Sequence, residues 1–318
     1  MKTLINSAKI VGIGIGVLAV LVTAFFGHRN IPLDELKAKY ATEEASSFVS
    51  VNGMEVHLRD EGPSTDSIPI VLIHGTGSSL HTFDDWAARL RSDYRVIRMD
   101  LPGYGLTGPF PHRDYSLERY VEFLHDFLAE LGVEQCVLAG NSLGGGIAWR
   151  FTVDHPEMVD KLILIDASGY PSKEESTPLA FKIARLPVVK HLFTFITPRA
   201  VVQSSVENVY ADKAKVSDAL VDRYFELSLR EGNRKAFIDK FEAENDTAAY
   251  HTIKQIRQNT LVLWGDQDQL IPSERAYQFH HDLPNDTLVI LKNVGHVPME
   301  ESPDQSVEVV LSFLQKSM

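Results

Sequence analysis

Short apolar runs separated by amphipathic segments constrain the fold of this chain most strongly. The runs "IPIVLIHG", "QCVLAG", "KLILID" and "NTLVLWG" are almost wholly apolar, and each is short for a helix. Runs of this kind are typical of parallel strands that are buried on both faces. Between them lie segments such as "SLERYVEFLHDFLAELG", whose apolar residues recur every three or four positions. The alternation predicts an α/β fold: a mostly parallel, eight-stranded sheet with helices on both faces.

Two departures from this alternation define the predicted domains. Near the start, "FVSVNGMEVHLRDEG" indicates two antiparallel strands around a turn at Asn52-Gly53. Later, no convincing strand follows the sixth predicted strand over a long interval, which offers the helical stretches "PLAFKIARLPVVKHLF", "SDALVDRYFELSLREG" and "NRKAFIDKFEAE". We therefore expect residues 47–166 and 252–318 to form the sheet domain, and residues 167–251 to form a helical cap inserted after strand six.

The N-terminus carries an apolar run of a different kind. Ile10–Gly27 contains no charged residue and follows Lys2 and Lys9. At about 1.5 Å per residue, such a run nearly spans a hydrocarbon core of about 30 Å. Residues 1–30 are therefore expected to be a membrane anchor or a cleaved signal segment. Because the positive end stays in the cytoplasm, both alternatives export the remaining chain. The protein is expected to be anchored with the remaining chain on the periplasmic or extracellular side, or secreted if the leader is cleaved.

Composition excludes several kinds of partner and site. The 318 residues include 31 Lys and Arg against 43 Asp and Glu, a formal charge of -12 that argues against nucleic acid as a partner. Cys136 is the single cysteine, so the chain has neither an internal disulfide nor a Cys-rich metal site. Its apolar surroundings predict a buried thiol within a strand.

A glycine-rich turn carries the candidate nucleophile. In "LAGNSLGGG", Ser142 occupies the centre of a G-x-S-x-G pattern between a predicted strand and a predicted helix. Glycines at positions 140 and 144 permit a sharp bend that exposes the serine hydroxyl at the end of the sheet. Gly145 and Gly146 each disfavour a helix by about 1 kcal/mol relative to Ala, which indicates close packing at these positions.

A serine nucleophile needs a base and an acid that orients the base. For this type of turn, the acid and then the histidine are expected downstream. His296 in "NVGHVPMEESP" is the predicted base, and Asp268 in "WGDQDQLIP" is the predicted acid. Asp166 remains an alternative acid because it ends the sixth predicted strand. Asp266 is expected to cap or brace the loop instead.

Backbone N–H groups are the predicted donors to an oxyanion. One is the N–H of Leu143, at the start of the helix that follows Ser142. The other is the N–H of Thr76 in "HGTGSS", where Gly75 and Gly77 allow the backbone to come close. His74, which opens this loop, is expected to have a structural role.

Five ordered motifs carry a family resemblance. The segments "IPIVLIHGTGSSLHTFDDW", "DLPGYGLTGP", "GNSLGGGIAWRFTVDHPEMVDKLILIDASG", "LVLWGDQDQLIP" and "VGHVPMEESP" resemble the α/β-hydrolase superfamily over about Val49 to Lys316. Within it, the chain is most similar to the bacterial lipases and esterases grouped with the cold-adapted Moraxella and Psychrobacter lipases. The resemblance implies Ser142, Asp268 and His296 as the catalytic residues. A serine nucleophile disfavours dehalogenase and epoxide hydrolase chemistry, which needs a carboxylate at that position.

The leading functional hypothesis is hydrolysis of carboxylic esters through an acyl-enzyme on Ser142. Export, a possible anchor at residues 10–27 and an apolar cap favour a small-molecule or lipid ester as substrate, and the mechanism needs neither a metal nor an organic cofactor. An alternative is hydrolysis of a carbon–carbon bond in ring-cleavage dienoates, whose enzymes share the serine turn. A third is a binding or signalling α/β-hydrolase with low turnover.

Overall fold

A computed structural model describes residues 27–64, 68–171, 176–187, 189–243 and 248–315. Its centre is an eight-stranded sheet in the order β1-β2-β4-β3-β5-β6-β7-β8. Strand β2 runs antiparallel to both β1 and β4, and all other neighbours are parallel. The strands are β1 Ser46–Val51, β2 Met54–Glu61, β3 Ile70–Ile73, β4 Val96–Met99, β5 Cys136–Asn141, β6 Val159–Ile165, β7 Asn259–Gly265 and β8 Asp286–Leu291. The predicted fold class is confirmed.

Twelve α-helices are formed by the described residues. They are α1 Leu33–Tyr40, α2 Asp84–Leu90, α3 Leu117–Glu130, α4 Leu143–Asp154, α5 Leu179–Ala184, α6 Val189–Phe193, α7 Arg199–Val209, α8 Asp218–Ser228, α9 Asn233–Glu242, α10 Glu274–Asp282, α11 Pro298–Glu301 and α12 Pro303–Leu314.

Both faces of the sheet are buried under helices. Along β3, Val71 and Ile73 contribute to one apolar cluster, whereas the alternate residues Ile70 and Leu72 contribute to another. Helices α3, α4 and α10 supply buried side chains to the first cluster, and α2 and α12 supply them to the second. Burial on both sides explains the continuous apolar runs. Cys136 belongs to the first cluster, as predicted, and burial raises the pKa of its thiol to about 12.

The first hairpin has the predicted turn. Strands β1 and β2 pair from Ser46 opposite Arg59 to Val51 opposite Met54. Asn52 and Gly53 connect them with φ values of 49° and 77°. Two consecutive positive φ values match the two-residue turn whose twist suits a hairpin.

The described residues between β6 and β7 form helices, and two features there differ from the prediction. The helical stretch expected over "PLAFKIARLPVVKHLF" is divided into α5 and α6, because Pro187 lacks the N–H that a continuous helix needs. Helix α7 was not predicted. Its sequence "RAVVQSSVENV" is rich in polar residues, and only Val206 is buried.

No helix within the described ranges is long and apolar enough to cross a membrane. The apolar run at 10–27 was the predicted anchor or signal segment. Apart from Gly27, it lies outside the described residues.

Candidate active site

Ser142 lies at the junction of β5 and α4 in a strained backbone conformation. Its φ and ψ are 55° and -116°, a combination that costs a non-glycine residue about 1–3 kcal/mol. Hydrogen bonds hold this conformation: the Ser142 N–H donates to the Ile165 carbonyl at 3.0 Å, and its own carbonyl accepts from the Gly146 N–H at 3.0 Å. The bend turns the chain from the strand into the helix at the carboxyl end of the sheet.

Close packing explains the glycines around Ser142. A Cβ atom on Gly140 would lie 2.2 Å from the Gly144 carbonyl oxygen, and one on Gly144 would lie 2.2 Å from the Ile73 carbonyl oxygen. On Gly145, a Cβ atom would lie 2.5 Å from the Cβ of Ala167. Separations of this size leave no room for a side chain. The close packing predicted for the glycine run is therefore present.

Asp268 and His296 follow two neighbouring strands and meet beyond the ends of those strands. Asp268 comes after β7 and His296 after β8, and Asp268 Oδ2 lies 2.7 Å from His296 Nδ1. The other carboxylate oxygen accepts hydrogen bonds from the N–H groups of Leu270 and Ile271. Because a carboxylate only accepts, Nδ1 must donate and Nε2 of the neutral ring is left as the acceptor. That Nε2 is buried, and no described group forms a hydrogen bond with it.

Asp166 lies close to Asp268 and His296, but the carboxylate that contacts Nδ1 of His296 is that of Asp268. Asp166 follows β6 with a φ of 43°, and its Oδ1 accepts from the Gly265 N–H at 3.0 Å. Burial and the negative charge of Asp268 raise the pKa of Asp166 well above 3.8. Its surroundings therefore favour the protonated, neutral form of Asp166.

Asp166, Asp268 and His296 place possible ligand atoms within 4.8 Å of one another. A divalent cation would need ionised carboxylates. Burial and the charge of Asp268 instead favour the protonated form of Asp166, and Asp268 is already hydrogen-bonded to His296.

The loop after β3 lies beside Ser142. A Cβ atom on Gly75 would lie 3.0 Å from the Ser142 Cβ, so the loop backbone comes as close to the serine as the sequence analysis expects. Thr76 lines the same cavity as Ser142 and His296. Leu143 is the first residue of α4, and an N–H at that position has no acceptor within its own helix.

The cavity extends from Ser142 into the helices between β6 and β7. It leaves about 1020 Å³ of empty space, part of it open to solvent. Most of its lining is apolar. The side chains supplied by those helices and the segments between them are Pro178, Ala180, Phe181, Phe193, Thr197, Val202, Ser205, Val206, Val209, Tyr224, Leu227, Ser228, Asn233, Arg234 and Phe237.

Sequence reasoning missed two side chains that position the site. Asn141 donates from Nδ2 to the carbonyls of Ile165 and His296, which ties the serine turn to the histidine loop. Glu301 accepts from the N–H groups of Gly295 and Asp212, at 2.6 and 2.7 Å. Asn141 lies inside the serine motif and could have been identified from it, whereas nothing in the sequence indicates the long-range contacts of Glu301.

His74 and Asp266 have the structural roles that the sequence analysis predicts. His74 is fully buried, its Nδ1 lies 2.8 Å from the Gly75 carbonyl, and its Nε2 accepts from the Leu101 N–H. Asp266 accepts from the Asn293 N–H at 2.7 Å and so braces the loop that follows β8.

Residues 68–303 match the family model of the alpha/beta hydrolase fold. The chain belongs to this family. It is 28% identical over 295 residues to a 2-hydroxy-6-oxo-6-(2'-aminophenyl)hexa-2,4-dienoic acid hydrolase of Metapseudomonas resinovorans, covering 88% of this chain and 96% of that protein. It is 27% identical to a 2-hydroxymuconate semialdehyde hydrolase of Pseudomonas putida, covering 89% and 98% of the two chains.

A solved structure described as a membrane phospholipase A and bacterial virulence factor is also similar. Its TM-score is 0.73 at 25% identity, and the match covers 99% of this chain and 98% of that one. The proteins similar to this alpha/beta hydrolase thus include enzymes named as hydrolases of a dienoic acid and of a semialdehyde, and one named as a phospholipase. The finer resemblance to the cold-adapted Moraxella and Psychrobacter lipases stays a prediction.

Proposed function

We propose that this alpha/beta hydrolase cleaves carboxylic esters of lipid-like acids, with Ser142 as nucleophile, His296 as base and Asp268 as the acid that orients the base. One observation carries the proposal: His296 donates from Nδ1 to Asp268, while its buried Nε2 is free of described partners in the cavity that Ser142 lines. An imidazole held in this tautomer can accept a proton only at Nε2.

The reaction follows from this arrangement. His296 Nε2 takes the proton of the Ser142 hydroxyl as its oxygen attacks the ester carbonyl, and the imidazolium then gives that proton to the departing alcohol. The N–H groups of Thr76 and Leu143 stabilise the negative oxygen of the tetrahedral intermediate. Water, deprotonated by the same imidazole, attacks the acyl-enzyme and releases the carboxylic acid.

The apolar cavity and the phospholipase-like neighbour support an acyl chain as the group that fills the site. The test is hydrolysis of p-nitrophenyl esters from acetyl to palmitoyl and of emulsified triglyceride, with Ser142→Ala as control. Turnover that disappears in the variant supports the proposal, and the preferred chain length distinguishes esterase from lipase. Folded protein that hydrolyses none of these esters would contradict it.

A carbon–carbon bond hydrolase is the second candidate, because two relatives that match most of the chain are named for dienoate and semialdehyde substrates of that type. A panel of ring-cleavage dienoates separates the candidates. Turnover of a dienoate at least tenfold faster than that of every ester would favour the second.

The localisation proposed here is a membrane anchor at residues 10–27 with an exported catalytic domain. The absence of charge in that run and the name of the phospholipase-like neighbour support it. The described chain also starts beside exposed apolar surface: the His28 N–H donates to the Phe195 carbonyl, and Phe195 is 65% exposed. Full-length protein should stay with membranes after a carbonate wash, and protein lacking residues 1–30 should be released. Full-length protein in the soluble fraction before the wash would contradict the anchor.

A further inference from the structure

The cavity contains a buried cation that forms no ion pair with a carboxylate of the described residues. Arg234, in the first turn of α9, is only 7% exposed and lines the cavity with Ser142. Its Nη2 donates to Asn30 Oδ1 at 2.7 Å. Its Nη1 is buried without a hydrogen-bond partner among the described residues. Burial lowers the pKa of Arg234, but a guanidinium remains charged in proteins.

The other two buried arginines of the described chain are paired with acids. Arg98 donates to Glu61 at 2.5 Å and to Asp84 at 2.6 Å. Arg59 donates to Asp84 at 3.1 Å. A buried charge without a partner is destabilising, so folded proteins normally supply an opposite charge. Arg234 departs from this pattern at a position that a substrate can reach.

A second unpaired polar atom lies on the adjacent residue. Asn233 donates from Nδ2 to the carbonyls of Gly105 and Leu227, which fixes the orientation of its amide. Its Oδ1 is buried and unpaired within the described structure. Asn233 lines the cavity too. Together the two residues provide a charged donor and a neutral acceptor within an otherwise mainly apolar cavity.

We infer that Arg234 is an anion-binding subsite, and that the substrates of this enzyme are amphiphilic esters with one apolar chain and one phosphate or carboxylate group. A charge-assisted hydrogen bond from Nη1 would satisfy the unpaired donor and the anion at the same time. The neighbouring Oδ1 of Asn233 would accept from a hydroxyl of the same polar group. The claim that the substrates are esters rests on the proposed function. The claim that Arg234 binds an anion does not, since anion binding can be measured without turnover.

The binding test uses Ser142→Ala protein and three probes with the same alkyl chain: decyl phosphate, decanoate and neutral decanol. Titration calorimetry should show both anions, or the preferred one, binding more tightly than decanol. Adding Arg234→Gln should weaken the preferred anion about 10- to 100-fold, the loss expected for one charged hydrogen bond, and change decanol less than twofold. Arg234→Met, an apolar replacement of similar length, should give the same pattern and guards against misfolding of the Gln variant.

Lys235→Gln provides the matched control. It removes the same charge from the next residue of α9, where Lys235 Nζ is exposed and pairs with Asp239. All three affinities should remain within twofold. Tighter binding of decyl phosphate than of decanoate assigns the subsite to phosphate esters, and the reverse assigns it to carboxylates. Equal binding of anions and decanol, or equal weakening of all three probes by Arg234→Gln, would overturn the inference.

Measurements of turnover test the anion-binding subsite and the proposed ester hydrolysis independently. Wild-type protein should hydrolyse 1-decanoyl-lysophosphatidylglycerol or monodecyl succinate with a higher kcat/KM than 1-monodecanoylglycerol, and Arg234→Gln should remove that preference. Hydrolysis of none of them, with Arg234-dependent binding of an anionic probe, would refute ester hydrolysis and leave the subsite standing. Hydrolysis without any preference that depends on Arg234 would refute the subsite and leave the function standing.

Discussion

The described residues include two buried His–Asp pairs with the same Nδ1–Oδ2 distance and different surroundings. His57 Nδ1 lies 2.7 Å from Asp100 Oδ2, and His296 Nδ1 lies 2.7 Å from Asp268 Oδ2. In the first pair, the remaining ring nitrogen lies 2.6 Å from the Ser46 hydroxyl. In the second, that nitrogen has no described partner and belongs to a residue lining the cavity. A His–Asp hydrogen bond therefore does not by itself indicate a base; the proposal that His296 is the base rests on its Nε2 having no described partner and on its place in the cavity lining.

The surroundings of the two acids differ as well. Asp100 accepts from the N–H groups of Leu80 and Leu106, in addition to its contact with His57. Burial alone would raise the pKa of Asp100, but the charge and hydrogen bond of His57 lower it below 3.8. Both carboxylate oxygens of Asp100 thus accept hydrogen bonds that connect β2 and the end of β4 to neighbouring segments, as expected for a structural pair.

The largest predicted difference between the pairs comes from removing each histidine. His296→Ala should lower kcat for the best ester by about 10⁴-fold or more, because it removes the proposed base, and should change the free energy of unfolding little. His57→Ala should cost about 3 kcal/mol of stability by leaving Asp100 buried without its partner. The measurements are steady-state kinetics and urea unfolding of both variants. Loss of turnover in folded His57→Ala would remove the distinction.

Replacing the acid of each pair should distinguish the two pairs in the same way, with a somewhat smaller loss of kcat than replacing His296. Asp268→Asn should reduce kcat by about 10³- to 10⁴-fold, because an amide can donate to Nδ1 and so favours the wrong imidazole tautomer. Asp100→Asn should instead lower the urea midpoint, and its kcat per folded molecule should stay within about tenfold of wild type. An Asp268→Asn enzyme that keeps most of its kcat would show that Asp166 orients the base.

Asp166→Asn should affect pH-dependent stability more than catalysis. Because the buried site favours the protonated form of Asp166, the amide of Asn is a close mimic, and kcat should remain within about tenfold of wild type. The pKa of Asp166 is raised in the folded state, so the stabilising effect of its proton is complete below the unfolded value of 3.8 and is lost as pH rises through the folded value. Urea unfolding at pH 5 and pH 9 should show the variant gaining stability relative to wild type as pH rises. A difference that is constant with pH would contradict the raised pKa.

A His–Asp pair on the surface should contribute least to stability and to turnover. His280 Nδ1 lies 2.9 Å from Asp286 Oδ2, but the His280 side chain is 54% exposed. Solvent screening limits such pairs to about 1 kcal/mol or less. His280→Gln should therefore keep wild-type kcat and change the unfolding free energy by less than about 1 kcal/mol. A larger loss of stability would show that exposure is a poor guide to the strength of these pairs.

The sequence predicts the positions of the candidate site better than the environment of each side chain. Ser142, Asp268 and His296 could be found because each follows an apolar strand, and the ends of neighbouring parallel strands lie close together. Asp166 also ends a strand, so the choice between two acids needed the three-dimensional hydrogen bond to Nδ1. The ring nitrogen without a described hydrogen-bond partner, which distinguishes His296 from His57, is likewise a property of tertiary contacts.

The helices between β6 and β7 were harder to predict for a related reason. Helix α7 has one buried residue, so its apolar pattern is weak. Helix α9 buries adjacent residues, including Asn233 and Arg234, because one side faces the cavity and another faces the rest of the protein. A charged residue that faces a cavity cannot be distinguished by periodicity from one that faces water.

The contact between α7 and the histidine loop has a mechanical consequence. The N–H of His296 donates to the carbonyl of Val209, the last residue of α7, at 2.8 Å, and Glu301 accepts from Asp212, three residues further on, as well as from Gly295. Moving the end of α7 away from the sheet must break the hydrogen bond between His296 and Val209, and it must strain the hydrogen bond between Asp212 and Glu301. A substrate too large to enter without that displacement would therefore disturb the alignment of the base while it enters, and turnover would wait until the helix returned.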